Sequence, residues 1–144
     1  MAIPPRDAAG RVEPHDDPDI SDDAYVVRYV HVSQLRPDEA GHRRLSSGAF
    51  SPSSKHHDPY CSMSADLLDS MLKDGVAPSA WKRPERHAVV KLRVRDLRRL
   101  GLQVGSDPQT DNPYHVGVWG MKRQHRKQLH RLCEWVEKPD DVLK

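Results

Sequence analysis

Asp111-Asn112-Pro113-Tyr114-His115-Val116-Gly117-Val118-Trp119-Gly120, followed by Met121-Lys122-Arg123-Gln124-His125-Arg126-Lys127-Gln128-Leu129-His130-Arg131-Leu132-Cys133-Glu134-Trp135-Val136-Glu137, is the stretch on which the fold turns. It opens with turn-forming residues, runs through the composition of a short buried strand from Tyr114 to Trp119, breaks at Gly120 and continues as a basic amphipathic segment. Met121, His125, Leu129, Leu132, Cys133 and Val136 fall on one stripe at helical spacing, and Lys122, Arg123, Arg126, Lys127 and Arg131 occupy the remaining circumference. The segment therefore predicts a final helix that packs on one side and presents charge on the other. Pro139 marks its end, and residues 139–144 are expected to fray.

Upstream, His87 to Val94 is the clearest strand: Val90, Leu92 and Val94 are predicted to point inward and Lys91, Arg93 and Arg95 outward. Asp96 to Leu100 fits a short helix closed by Gly101, and Leu102 to Val104 a strand leading into the turn-rich loop before Tyr114. Tyr25 to Val32 has the β-branched and aromatic composition of a strand. Arg43 to Phe50 reads as another, anchored by the only phenylalanine. Tyr60 to Ser64 is a brief strand, after which Ser64 is placed to cap a helix from Ala65 to Lys73. Trp81, in a proline-bearing connector, is expected to fold back over the core.

These elements make an α+β fold: a small mixed or antiparallel sheet of about four to five strands with two main helices, the last one basic and amphipathic. The 144 residues, 36% hydrophobic and 31% charged, allow one domain with a modest core, assigned here to residues 24–138. Residues 1–23 are predicted to be a disordered acidic tail, because four prolines and many aspartates leave little apolar surface to bury. No apolar run approaches the roughly 20 residues of a membrane span and no signal peptide is visible, so no membrane association and a cytoplasmic location are expected. Cys61 and Cys133 read as free thiols.

The formal net charge of +2 conceals an uneven distribution. Asp7, Glu13, Asp16, Asp17, Asp19, Asp22 and Asp23 face only Arg6 and Arg11 in the first 24 residues, which leaves the rest of the chain basic. Lys82, Arg83, Arg86, Lys91, Arg93, Arg95, Arg98 and Arg99 outnumber Glu85 and Asp96 in one segment, and residues 120–131 carry five basic residues and no acidic one. The leading expectation is thus an accessory domain holding an anionic partner, foremost nucleic acid, through the basic helix and the neighbouring strand face, with the acidic tail competing for that face. Its anion-binding residues would be Arg93, Arg95, Gly120, Lys122, Arg123, Arg126, Lys127 and Arg131. Gly120 enters because a helix opening directly from a strand leaves free N–H groups.

A second expectation is a small transferase or hydrolase acting on a nucleotide or phosphorylated substrate. His115, restrained by Pro108 and Pro113, would move the proton, and Arg28, Arg44 and Ser46 would hold the substrate. It requires His115 and an arginine in one concave pocket. A third is a protein-interaction or immunity-type regulatory module, for which Trp81, Trp119 and Trp135 would form an exposed patch and a protein would be the partner. His56, His57, Asp58 and Cys61 form a local cluster of ligand-capable residues without the paired spacing of a zinc site, so neither metal nor other cofactor is expected. Oligomeric state has no signal in the sequence.

Overall fold

A computed structural model describes residues 3–143. Its strands are β1 (Tyr25–His31), β2 (Leu35–Pro37), β3 (Arg43–Leu45), β4 (Met63–Leu67), β5 (Arg86–Arg93), β6 (Gln103–Ser106), β7 (His115–Trp119), β8 (Glu134–Glu137) and β9 (Val142–Leu143). The helices are α1 (Leu68–Lys73), α2 (Pro78–Trp81), α3 (Val94–Arg99) and α4 (His125–Leu132), all short. Alternation along the strands sets the layers. Val26, Val30, Ala65, Val90, Leu92, Val116 and Val118 point to one face, where they pack with Phe50, Leu97 and Leu129 in the main core. Val27 and Val89 point to the other face and pack with Leu68 and Met71 of α1 in a smaller cluster that Tyr29, Trp81 and Tyr114 border.

The fold is α+β. A six-stranded antiparallel sheet has the order β6-β7-β4-β1-β5-β8, and a three-stranded sheet has the order β2-β3-β9 with β3 and β9 parallel. The β1–β5 ladder runs the whole length of β1, whereas β1 meets β4 only at Val26↔Leu67 and Val27↔Asp66. Beyond that point the two strands part. Arg28 enters the gap, donating from Nη1 to the Ser64 carbonyl at 2.5 Å and from Nη2 to the Ala49 carbonyl at 2.6 Å.

The strand count exceeds the expected four to five, in part because the chain after α4 forms two strands. The helical stripe from Met121 to Val136 holds only from His125 to Leu132; Glu134–Glu137 is instead a strand paired with β5, with Val90 opposite Trp135. The edge of β5 offers backbone partners that a longer helix would leave unpaired, and Trp135 and Val136 fit a pleated surface better than a helix. Residues 139–143 are not frayed. Val142 is fully buried in the strand beside β3, and Arg43 grips Asp141 through two hydrogen bonds of 2.6 and 2.7 Å. Two boundaries also move: Ser64 lies within β4 rather than capping a helix, and residues 47–50 form a 3-10 turn capped by Ser46.

The acidic leader, expected as a disordered tail, lies against the body. Asp17 N–H donates to the Val104 carbonyl at 2.9 Å, and Val104 N–H donates to the Asp16 carboxylate at 3.1 Å. Arg98 donates to Asp16, to Asp22 and to the Asp17 carbonyl, while Val12 and Ile20 are buried. Gly105 makes room for this docking: a β-carbon there would stand 2.5 Å from the His15 ring. The segment lacks a core of its own but buries its few apolar side chains against the main one, and its carboxylates find cations held ready on α3. Among the described residues, no helix is long and apolar enough to cross a membrane.

Ile20 is 2% exposed and belongs to the main core. Ile20→Ala should therefore lower unfolding stability by about 2–4 kcal/mol in a urea titration; an unchanged midpoint would mean that this segment does not pack as described.

Candidate functional site

The face of the sheet opposite the main core carries Asp66 of β4 and His115 of β7 as cross-strand partners, with Val27 beside Asp66 on β1. Residues 107–115 form the loop that brings His115 there, and the loop is closed by its own hydrogen bonds. Gln109 and Asn112 exchange backbone bonds of 2.9 and 3.2 Å, and Asp107 N–H donates to the His115 carbonyl at 3.0 Å. The Asn112 side chain accepts from Tyr114 N–H at 3.0 Å and donates to Asp66 at 2.8 Å, so one amide holds both the loop and the carboxylate.

His115 Nδ1 lies 2.8 Å from the Asp107 carbonyl and 3.3 Å from its carboxylate. Both are acceptors, which fixes the proton on Nδ1 and leaves Nε2 as the second titrating atom. Burial alone would lower the imidazole's pKa, but the hydrogen bonds and charge of Asp107, with the charge of Asp66, outweigh it and hold it above the ordinary histidine value. Asp66 is displaced upward from the carboxylate range because burial outweighs the Asn112 hydrogen bond and the charges of His115 and Arg28. Burial, reinforced by Arg86, lowers the Arg28 guanidinium to about 10, so it remains a cation at neutral pH. Tyr29 is shifted upward by burial and by Asp66, and stays a neutral phenol donating to the Pro78 carbonyl at 3.2 Å.

Two clefts meet at His115 and Ser64. The smaller, about 340 Å³, is lined by Val27, Arg28, Tyr29, Gln34, Ala65, Asp66, Trp81, Arg83, Arg86 and Asn112 in addition to those two. The larger, about 600 Å³, is lined by Arg6, Arg11 and Val12 of the leader, by Ser53, His57, Asp58 and Ser62, by Asp107 and Thr110, and by Trp119. Perturbed titratable groups gathered in a polar concavity are the usual physical mark of a reactive site.

Of the expected catalytic residues, Arg28 shares the smaller cleft with His115, whereas Arg44 and Ser46 line neither cleft. Arg44 pairs with Asp38 at 3.0 Å beside the small sheet, and the Ser46 hydroxyl accepts from Gly48 N–H at 3.1 Å as a turn cap. Asp107 and Asp66 were not among the candidates: their partnership with His115 depends on strand register and loop closure. The Asn112-Pro113 turn before His115 was the available signal for one half of it.

The expected anion-binding set does not form one surface. Arg93 and Lys91 lie over the Tyr25 ring on the face opposite the main core, where Arg93 and Arg95 both reach Asp23, while α4 packs Leu129 into the main core. Strand cations and helix cations are therefore on different sides of the sheet. Gly120, with φ +94, ends β7, but α4 starts only at His125, and Lys122 N–H donates to the His125 ring at 2.9 Å. No helix terminus opens at Gly120, so the reason for an anion pocket there is gone. Arg126 is partly buried, whereas Lys127 and Arg131 are exposed on α4, and Lys122 and Arg123 are exposed just before it.

Trp119 is buried and Trp81 and Trp135 are half-buried, so the three make no exposed aromatic patch. Cys61 and Cys133 are not joined in a disulfide. Among the described residues no three histidine, cysteine, aspartate or glutamate side chains are gathered as a metal would need. Comparison with family models, with curated proteins and with solved structures gave no match.

Because the folded pKa of His115 is raised, its ionisation stabilises the fold fully below the unfolded value, and that contribution is lost as pH rises through the folded value. Asp107→Asn should lower the His115 pKa in a ring-proton NMR titration. It should also cost more stability around pH 5.5 than around pH 8.5. An equal loss at both would show that Asp107 does not act through the imidazole charge.

Proposed function

We propose that this chain is a small transferase or hydrolase acting on a nucleotide or another phosphorylated substrate, with His115 as the proton-transfer group. The observation that carries the reading is the Asp107–His115 pair at the junction of two clefts that arginines border, with Arg28 and His115 lining the same one. Phosphoryl transfer asks the protein chiefly for positioning and for positive charge around the transferring group, and the clefts offer both through Arg6, Arg11, Arg83 and Arg86.

In the proposed step an oxygen of water, or of an alcohol acceptor, forms a new bond to phosphorus while the bond from phosphorus to the leaving oxygen breaks. The bonding pair leaves with that oxygen. Asp66 takes the proton of the attacking oxygen, and imidazolium His115 gives its Nε2 proton to the leaving oxygen, so charge and protons balance. Asp107 is a positioning residue: it fixes the tautomer and favours the charged ring. His115→Gln should lower kcat by roughly 10²–10⁴-fold on whichever phosphate ester the wild type turns over. Unchanged turnover in that variant, or no turnover by the intact chain across nucleoside mono-, di- and triphosphates and simple phosphate esters, would overturn the reading.

A second reading has its own observation. Arg123, Lys127 and Arg131 border a shallow depression with Gln124 and Gln128, and no ion pair engages these three cations among the described residues. We propose this helix face, without the strand residues, as the place where an anionic macromolecule, foremost nucleic acid, would be held. Changing the three to glutamine should reduce the slope of log affinity against log salt by roughly 2–3 for a nucleic acid; an unaltered slope would remove the helix from the interface.

A further inference from the structure

We infer that the two clefts are one trough taking a nucleotide lengthwise, its base against Trp81 in the smaller cleft and its phosphate between Arg6 and Arg11 in the larger, with the reacting bond over His115. The inference rests on the reading of His115 given above and adds the substrate class, its direction and the leader's part in holding it. The continuity of the trough follows from its lining: His115 and Ser64 belong to both clefts, and these two residues lie on the sheet face opposite the main core.

The two halves differ in chemistry. The smaller is lined by apolar Val27, and Trp81, half-buried, packs edge-on against Tyr114 with ring centroids 5.6 Å apart, so its ring is held in place as a stacking surface. Gln34, Asp66 and Asn112 lie on the same lining, and side-chain amides and carboxylates are the groups that read the edges of a base. The Arg28 guanidinium there is already committed to two backbone carbonyls, which leaves it to supply charge and not grip.

The larger cleft is lined by hydroxyls of Ser53, Ser62, Ser64 and Thr110 and by two arginines. Arg11 donates from Nη1 to the His57 carbonyl at 3.2 Å, and Arg6 donates from Nη1 to the Gly10 carbonyl at 2.8 Å. Each bond orients its guanidinium and leaves further N–H donors on a planar fork suited to phosphate. Of the acids on that lining, Asp58 accepts from Tyr60 N–H, Ser62 N–H and the Ser62 hydroxyl and also feels the charge of Arg11, and Asp107 holds His115. The leader, acidic overall, thus delivers its two cations to the site while Asp16, Asp17 and Asp22 dock on α3 and β6.

Titration calorimetry of the full chain with adenosine monophosphate, uridine monophosphate, the two parent nucleosides and inorganic phosphate tests this directly. At least one monophosphate should bind about tenfold or more tightly than its nucleoside or phosphate alone. Trp81→Ala should weaken that monophosphate and its nucleoside by about tenfold and leave phosphate unchanged. Arg11→Gln should weaken the monophosphate and phosphate by a similar factor and leave the nucleoside unchanged. If Trp81→Ala does not fold, Trp81→Leu carries the same comparison. Loss of phosphate affinity in Arg86→Gln but not in Arg11→Gln would reverse the direction and overturn the inference. So would a monophosphate that binds no better than phosphate, or absence of binding by every probe. Because binding is read without turnover, a chain that binds in the expected pattern but catalyses nothing overturns the reaction and leaves the trough. A chain that turns over with the opposite pattern does the reverse.

Discussion

The guanidinium of Arg28 is the contact on which this architecture depends. β1 and β4 share a ladder for only two residue pairs, and where they part, backbone acceptors of β4 and of the turn at residues 47–50 face a gap in the middle of a six-stranded sheet. Arg28 fills it with donors at 2.5 and 2.6 Å to the Ser64 and Ala49 carbonyls. A neutral side chain of that length would leave both carbonyls without these partners, and an unpaired buried acceptor costs about 1–3 kcal/mol. The charge that closes the gap also sits beside Asp66, and the parting of the strands is what makes the smaller cleft. The same local irregularity therefore builds a weak point in the sheet, braces it and sets the electrostatics next to His115.

The chemistry of the site follows from gathering four ionisable groups, His115, Asp107, Asp66 and Arg28, around the junction of the two clefts. Asp107 favours the charged imidazole, burial favours the neutral form of Asp66, and Arg28 opposes that shift. The outcome is a carboxylate and an imidazole that both hold a proton more firmly than their free counterparts, each for its own local reason. The clefts on either side add cations without burying them completely, so they can be neutralised by a substrate and not only by the protein itself.

Much of the sheet was legible because its strands carry their own pattern. β5 alternates Val90 and Leu92 with Lys91 and Arg93, and β1 and β7 have the β-branched density that strands prefer. What was hidden depends on distant partners. Leu129, Leu132, Cys133 and Val136 keep helical spacing, yet the backbone after Leu132 pairs with β5, because a sheet edge competes with local periodicity and prevails. The leader reads as disordered by composition, since its hold comes from Arg98, Val104 and Gly105. His115 stood out in the sequence by its turn, while Asp66 became its neighbour only through the β4–β7 register and Asp107 only through closure of its loop. Arg44 and Ser46 looked equivalent to Arg28 in the chain; the fold gives the first to Asp38 and the second to a turn.

The docking of the leader also has a temporal side. Residues near the N-terminus emerge early in synthesis, but Asp16 meets its backbone partner Val104 across a separation of 88 residues, and the cleft wall made by Arg6 and Arg11 faces residues 107–110 and 115. A chain interrupted anywhere before that point has its two leading arginines without the wall opposite them. Long-range closure of this kind is slow relative to helix or hairpin formation. The larger cleft is complete only once both ends of this stretch of chain have met.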